Sequence, residues 1–169
     1  QILVEEGQEV KTGEPLATLT STSFLRGDGG FGGPDGPVKR PHPEPERAPD
    51  ITLDLHTRPE QAAVYRLNSD LNPLHIDPAI AKAAGFPRPI LHGLCSYGIV
   101  LRTLTEQLLD GDASAVAGFG VKFAGVVFPG ETIRVRGWRE GDRIVAAASV
   151  TGGERDGAPV LGDVLLHLA

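Results

Sequence analysis

The sequence predicts an α+β domain in which an antiparallel β-sheet curls around one long central helix. Three observations predict it. From Leu91 the apolar positions recur at Leu94, Cys95, Gly98, Leu101, Leu104 or Thr105 and Leu108, which is a helical period. The other faces of that helix carry Ile99, Val100 and Leu109, so it is apolar nearly all round and should be wrapped by other structure. After it come only β-like runs, VAGFGVKFAGVVF, ETIRVRGWRE, RIVAAASVTG and PVLGDVLLHLA. Pro129-Gly130 and Gly141-Asp142 punctuate them like hairpin turns. A sheet covering such a helix has to curve around it.

The elements follow in order. Residues 1–26 read as a strand pair: ILV leads in, GQEVKTGEP has turn chemistry, and LATLTSTSFLR is rich in β-formers. Residues 27–50 are dominated first by glycine and then by proline, the composition of a linker that is flexible and then semi-extended. Within it Gly27, Gly29 and Gly32 satisfy G-x-G-x-x-G. A dinucleotide site needs a helix N-terminus after the glycines, and Pro34, Gly36, Pro37 and Pro41 follow instead. ITLDLH, residues 51–56, alternates like a strand, and PEQAAVYRL, residues 59–67, opens with a proline suited to a first helical turn. PAIAKAAG, residues 78–85, reads as a short helix with a glycine stop. The long helix then spans about 20 residues, or roughly 30 Å.

Composition narrows the function. A chain of 169 residues, 40% hydrophobic, can build one real core. A net charge of −6 argues against a general nucleic-acid binder. Charge or glycine interrupts every apolar stretch well before 18 residues, so no membrane span is expected. The single cysteine, Cys95, forbids an internal disulfide and fits a reducing, cytoplasmic setting; its helical context reads as a small buried hydrophobe. The chain opens at Gln1 inside an apolar run, which reads as a piece of a longer chain.

Residues 68–77, NSDLNPLHID, hold the chemistry. Fully extended, Asp70 and His75 would stand roughly 16 Å apart. Asn72-Pro73 supplies a turn that folds the segment back, so the two heads can face one small molecule. An acid and an imidazole sharing one water suit general acid–base catalysis, and the Asn72 amide can donate to that water or to a substrate oxygen. The residues alone leave other readings open: a purely structural loop, in which Asp70 caps a turn and Asn72 forms an Asx-turn, or a metal site of Asp70, His75 and Asp77. The loop lacks the glycine and terminal glutamate of an EF-hand, and no second His or Cys cluster supports zinc. LHG, residues 91–93, stands at the mouth of the long helix, where backbone N–H groups lack partners. Gly93 lets a ligand approach its N–H and would suit a carbonyl gaining negative charge, or it merely allows tight packing. For His92 capping or packing is the stronger reading.

Residues 65–98, YRLNSDLNPLHIDPAIAKAAGFPRPILHGLCSYG, resemble the signature of the MaoC-like hydratases, the (R)-specific enoyl-CoA hydratase 2 family. The family pattern runs Y-x-L-S-G-D-x-N-P-L-H-x-D-P, then A-G-F and P-I-L-H-G-L. Asn68-Ser69 departs from the usual Ser-Gly and could alter the loop's backbone. The resemblance implies a hot-dog fold and syn addition of water across the 2,3-double bond of an acyl-CoA thioester, or the reverse dehydration. It implies that Asp70 and His75 hold and activate the water, that Asn72 helps orient them, and that the Gly93 N–H stabilises the thioester oxygen. No metal or redox cofactor is then required, the CoA thioester being the substrate. Larger members carry two hot-dog repeats, so residues 1–26 are expected to be remnant strands of a preceding repeat, 27–50 the linker, and 51–169 the complete catalytic domain. A homodimer, or pairing with another hot-dog repeat, is expected. A thioesterase and a non-catalytic acyl-CoA-binding or dimerisation module are the alternatives. Lys82, Arg88 and Lys122 are basic candidates for CoA phosphates, with solvated surface charge the stronger reading of each.

Overall fold

The structure, a computed structural model, describes residues 2–8, 15–23, 27, 29–33, 41–68 and 70–169. It divides into two compact units, Gln1–Lys39 and Arg40–Ala169. In the first, β1 (Ile2–Gln8) pairs antiparallel with β2 (Pro15–Thr22). The turn expected between them, the proline-rich stretch 34–40 and Ser69 lie outside the described residues.

The second unit carries the hot-dog architecture. Its sheet runs β3-β5-β6-β7-β4, all neighbours antiparallel, from β3 (Ile51–His56), β4 (Val116–Phe123), β5 (Thr132–Glu140), β6 (Arg143–Thr151) and β7 (Pro159–Leu168). Helix α1 (Gln61–Arg66) and helix α2 (Pro78–Ala83) lie between β3 and the long helix α3 (Gly93–Leu108). Period-two alternation decides which side chains face α3: Ile133 and Val135 of β5, Ile144, Ala146, Ala148 and Val150 of β6, and Val164 and Leu166 of β7 all enter one buried cluster with Val100 and Leu104 of α3.

One long helix, α3, packs on the antiparallel sheet as expected, and its outer side stays exposed. Its buried stripe is Cys95, Ser96, Val100, Thr103, Leu104 and Thr105, while Leu94, 59% exposed, and Gly98 face outward. A helix apolar on every side offers several stripes, and only the packed sheet selects one. Pro129-Gly130 is not a hairpin turn. β4 pairs with β7, so residues 124–131 cross over instead of turning back. Leu91 N–H donates to the Val127 carbonyl at 2.7 Å, which ties that crossover to the mouth of α3. Gly141-Asp142 does close the β5–β6 hairpin, with Gly141 at φ +66°.

Residues 41–50 are pinned to the sheet's outer face. The indole N–H of Trp138 donates to the Arg47 carbonyl (2.9 Å), His42 N–H to Asp163 (3.2 Å) and Asp50 N–H to the Gly137 carbonyl (2.8 Å). Arg47 and the Arg139 N–H hold the Asp50 carboxyl down to about 2. No helix follows the glycines of the G-x-G-x-x-G run among the described residues.

Candidate active site

The NSDLNPLHID segment folds back as its sequence expects. Asn72 Oδ1 accepts from Leu74 N–H (3.0 Å) and so caps the 3-10 turn Pro73–His75, with Pro73 at its first position. Asn72 N–H in turn donates to Asp70 Oδ1 (3.2 Å). The cap uses the Asn72 oxygen and leaves its NH2 as the side-chain donor. Arg66, which no motif singles out, donates one Nη1 to the carbonyls of Leu71 (2.6 Å) and Asn72 (3.4 Å). Asp77 is taken up elsewhere: its carboxylate caps α2 through Ala79 N–H (2.8 Å).

The turn buries His75 while the Asp70 side chain stays 46% exposed. His75 Nδ1 lies 2.8 Å from the Ile90 carbonyl, which can only accept, so Nδ1 carries the proton and Nε2 of the neutral ring holds the basic lone pair. A donor atom of Asp70, one of His75 and one of His92 all lie within 4.8 Å of one another. A gap of that size suits one bridging water.

His92 is the residue that sequence reasoning undervalues. It is 1% exposed, as a packing residue should be. It also stacks on His75, with ring centroids 3.7 Å apart at 27°, and meets Tyr65 at 4.7 Å. Its Nε2 is 3.3 Å from the Asp70 carbonyl and 4.0 Å from Asp70 Oδ2. The signal available in the sequence is its place beside Gly93 within LHG. Gly93, the first residue of α3, is exposed at the helix mouth; the Phe123 ring would come within 3.0 Å of a Cβ placed there. The first N–H groups of a helix have no carbonyl one turn back, so this amide is available to a ligand.

Two imidazoles and a carboxylate could in principle ligate a metal. The two rings, however, stack 3.7 Å apart, and His75 Nδ1 and His92 Nε2 are already engaged by the Ile90 and Asp70 carbonyls, whereas zinc needs lone pairs converging at about 2.0–2.1 Å. The geometry suits proton exchange better. A cavity of about 560 Å³ lined by Arg88, Phe128, Glu131, Gly152 and Arg155 includes none of Asp70, His75 or Gly93. Arg155 is paired there with the Glu131 carboxylate, while exposed Arg88 donates one Nη1 to the Pro129 carbonyl.

A family model described as MaoC like domain matches residues 40–157. The chain belongs to the MaoC-like family. This MaoC-like chain is 52% identical over 151 residues to an enoyl-CoA hydratase of Mycobacterium tuberculosis, covering 89% of this chain and 52% of that protein. It is 42% identical over 164 residues to 3-hydroxyacyl-thioester dehydratase Y of the same organism, covering 96% and 57%. The full-length peroxisomal multifunctional enzyme type 2 of Drosophila melanogaster superposes with a TM-score of 0.87 at 38% identity, over 99% of this chain and 30% of that one. The MaoC-like chain thus spans about half the length of the curated relatives it matches. Among its described residues no helix is long and apolar enough to cross a membrane.

Burial pushes the His92 imidazole below its usual value, and the His75 ring adds to that; the Asp70 carbonyl and carboxylate pull the other way. The unfolded chain, with His92 near its ordinary value of about 6.5, therefore takes up this proton first. The stability contribution is complete above about pH 6.5 and is lost as pH falls from there through the lower folded value. Urea midpoints taken between pH 7.5 and pH 5 should fall, and His92→Phe should flatten that part of the curve. The Asp50 contribution, with its carboxyl at about 2, is lost only below this range of pH.

Proposed function

We propose that this chain carries out (R)-specific hydration of trans-2-enoyl-CoA thioesters to 3-hydroxyacyl-CoA, or the reverse dehydration. The observation that carries the reading is the approach of Asp70 and His75 to within one water's span, beside the helix-mouth amide of Gly93, which has no hydrogen-bond partner among the described residues. The names of the relatives and the resemblance of residues 65–98 to the hydratase 2 family support the substrate class and the stereochemistry.

In this reading the Asp70–His75 pair holds the water and takes one of its protons. The water oxygen bonds to C3, and the electron pair of the double bond moves toward the thioester carbonyl. The Gly93 N–H donates to that oxygen as charge builds, an effect worth about 10²–10³ in rate. A proton then returns to C2 on the same face, and the enolate collapses to the 3-hydroxyacyl thioester. The Asn72 NH2 orients the water or the substrate. No metal or redox cofactor enters the reaction.

The finer organisation belongs to the same proposal. Leu71, Ile76, Ile80, Leu94 and Phe123 are exposed apolar side chains on the site's own elements and on the end of β4. A second hot-dog unit, from another copy or from a longer chain, is the partner this reading expects to cover them, and residues 1–26 would be strands of a preceding repeat. A cytoplasmic setting is part of the same reading.

The test is incubation with trans-2-enoyl-CoA of several chain lengths. Loss of the enoyl thioester absorbance, with chiral analysis giving only the (R)-3-hydroxy product, is the expected result, and Asp70→Asn should abolish it in a folded protein. The alternative reading is a non-catalytic acyl-CoA binder. Tight thioester binding with neither hydration nor thiol release would decide for it.

A further inference from the structure

We propose that His92 is a positioning residue for the Asp70–His75 pair. Its Nε2–H donates to the Asp70 backbone carbonyl, and its ring face holds the His75 imidazole.

The partner of Nε2 decides which ring nitrogen carries the proton. A backbone carbonyl only accepts, so the 3.3 Å contact to Asp70 O places the hydrogen on His92 Nε2. In a neutral ring Nδ1 then carries a lone pair. That atom is buried and has no hydrogen-bond partner among the described residues. An unpaired buried acceptor is costly, and an apolar ring of the same size would avoid the cost while packing between Tyr65 and His75. Filling space alone therefore does not account for an imidazole here.

What the imidazole contributes is a link between two elements. Asp70, Leu71 and Asn72 lie in an exposed loop whose three successive carbonyls are all held: Asp70 O by His92, Leu71 O and Asn72 O by Arg66. Arg66 belongs to α1, which leads into the loop, so its clamp is local. His92 is the N-cap residue of α3 and directly precedes Gly93. Its clamp, together with the bond from His75 to the Ile90 carbonyl, fixes the acid and the base relative to the helix-mouth amide. The groups facing His92 are Asp70 and His75 from the loop, and Tyr65 and Arg66 from α1.

The rate effects rest on the hydratase reading above, whereas the tautomer does not. In the full wild-type chain, 15N NMR of the imidazoles at pH 7 should find His92 neutral with its proton on Nε2, and His75 with its proton on Nδ1. His92→Phe keeps a ring against His75 and removes the donor; it should lower kcat about 10- to 100-fold, the scale of a misplaced catalytic group, with KM within about threefold of wild type. His92→Gln, whose amide nitrogen can reach the same carbonyl, should return kcat to within about fivefold of wild type. A proton on His92 Nδ1, wild-type kcat in His92→Phe, or equal losses in the Phe and Gln variants would each overturn the proposal. Should His92→Phe fail to fold, the tautomer and the Gln variant decide. If the wild type hydrates no enoyl thioester, the hydratase reading fails, and the tautomer alone decides this one.

Discussion

His75→Gln should lower the hydration rate about 10²–10⁴-fold, the usual loss when a positioned acid–base group is removed. Glutamine is the informative replacement because it keeps a polar side chain that can donate to the Ile90 carbonyl, where His75 Nδ1 now sits at 2.8 Å. It has no nitrogen lone pair to take a proton from water. The lost stacking against His92 and one altered hydrogen bond should cost about 1 kcal/mol, so far-UV circular dichroism and the urea midpoint should stay near wild type. Initial rates with trans-2-enoyl-CoA at saturating substrate measure the effect. A folded His75→Gln protein that turns over at a near-normal rate would remove the base from the mechanism. Asp70 alone would then have to activate the water, although its side chain is nearly half exposed.

The Asp70–His75 pair is legible in the sequence because its geometry is local. Asn72-Pro73 determines the turn within five residues: the amide caps, the proline starts the 3-10 helix, and the two heads converge. The strands β3, β5, β6 and β7 are legible for a similar reason, since alternation and turn residues act over short range. What the sequence hides depends on contacts between distant residues. Leu94 and Gly98 fit the same helical period as Leu104, and only the sheet decides that Leu104 is buried and Leu94 is not. The pairing of β4 with β7 instead of β5 is a choice between edges that Pro129-Gly130 does not encode. Residues 41–50 have linker composition, yet Trp138, about 90 positions later, holds them on the sheet. His92 reads as packing because its contact with Asp70 spans 22 positions and no short pattern announces it.

Leu104→Ala should destabilise the fold by about 2–5 kcal/mol, and Gly137→Ala should cost less in that background than it does alone. Leu104 has no exposed surface and belongs to the cluster that joins α3 to β5, β6 and β7. Opposite it stands Gly137 of β5, which pairs with Ile51 of β3. A Cβ at Gly137 would come within 3.0 Å of Leu104 Cδ2 and of Ile51 Cγ1. The glycine therefore gives α3 room to approach the sheet, and Gly137→Ala alone is destabilising by overpacking. In the double variant the new methyl enters the space that the leucine vacated. The two losses should then fall short of their sum, by a coupling of about 0.5–3 kcal/mol. Urea denaturation of wild type, both single variants and the double variant measures it. Strict additivity would mean that helix and strand do not share this space, and that the clash is relieved toward Ile51 instead. Since Leu104 lies three turns along α3 from Gly93, the folded single variant should keep hydration within a few-fold of wild type. That separates the residues that hold the helix on the sheet from those that use its N-terminal mouth.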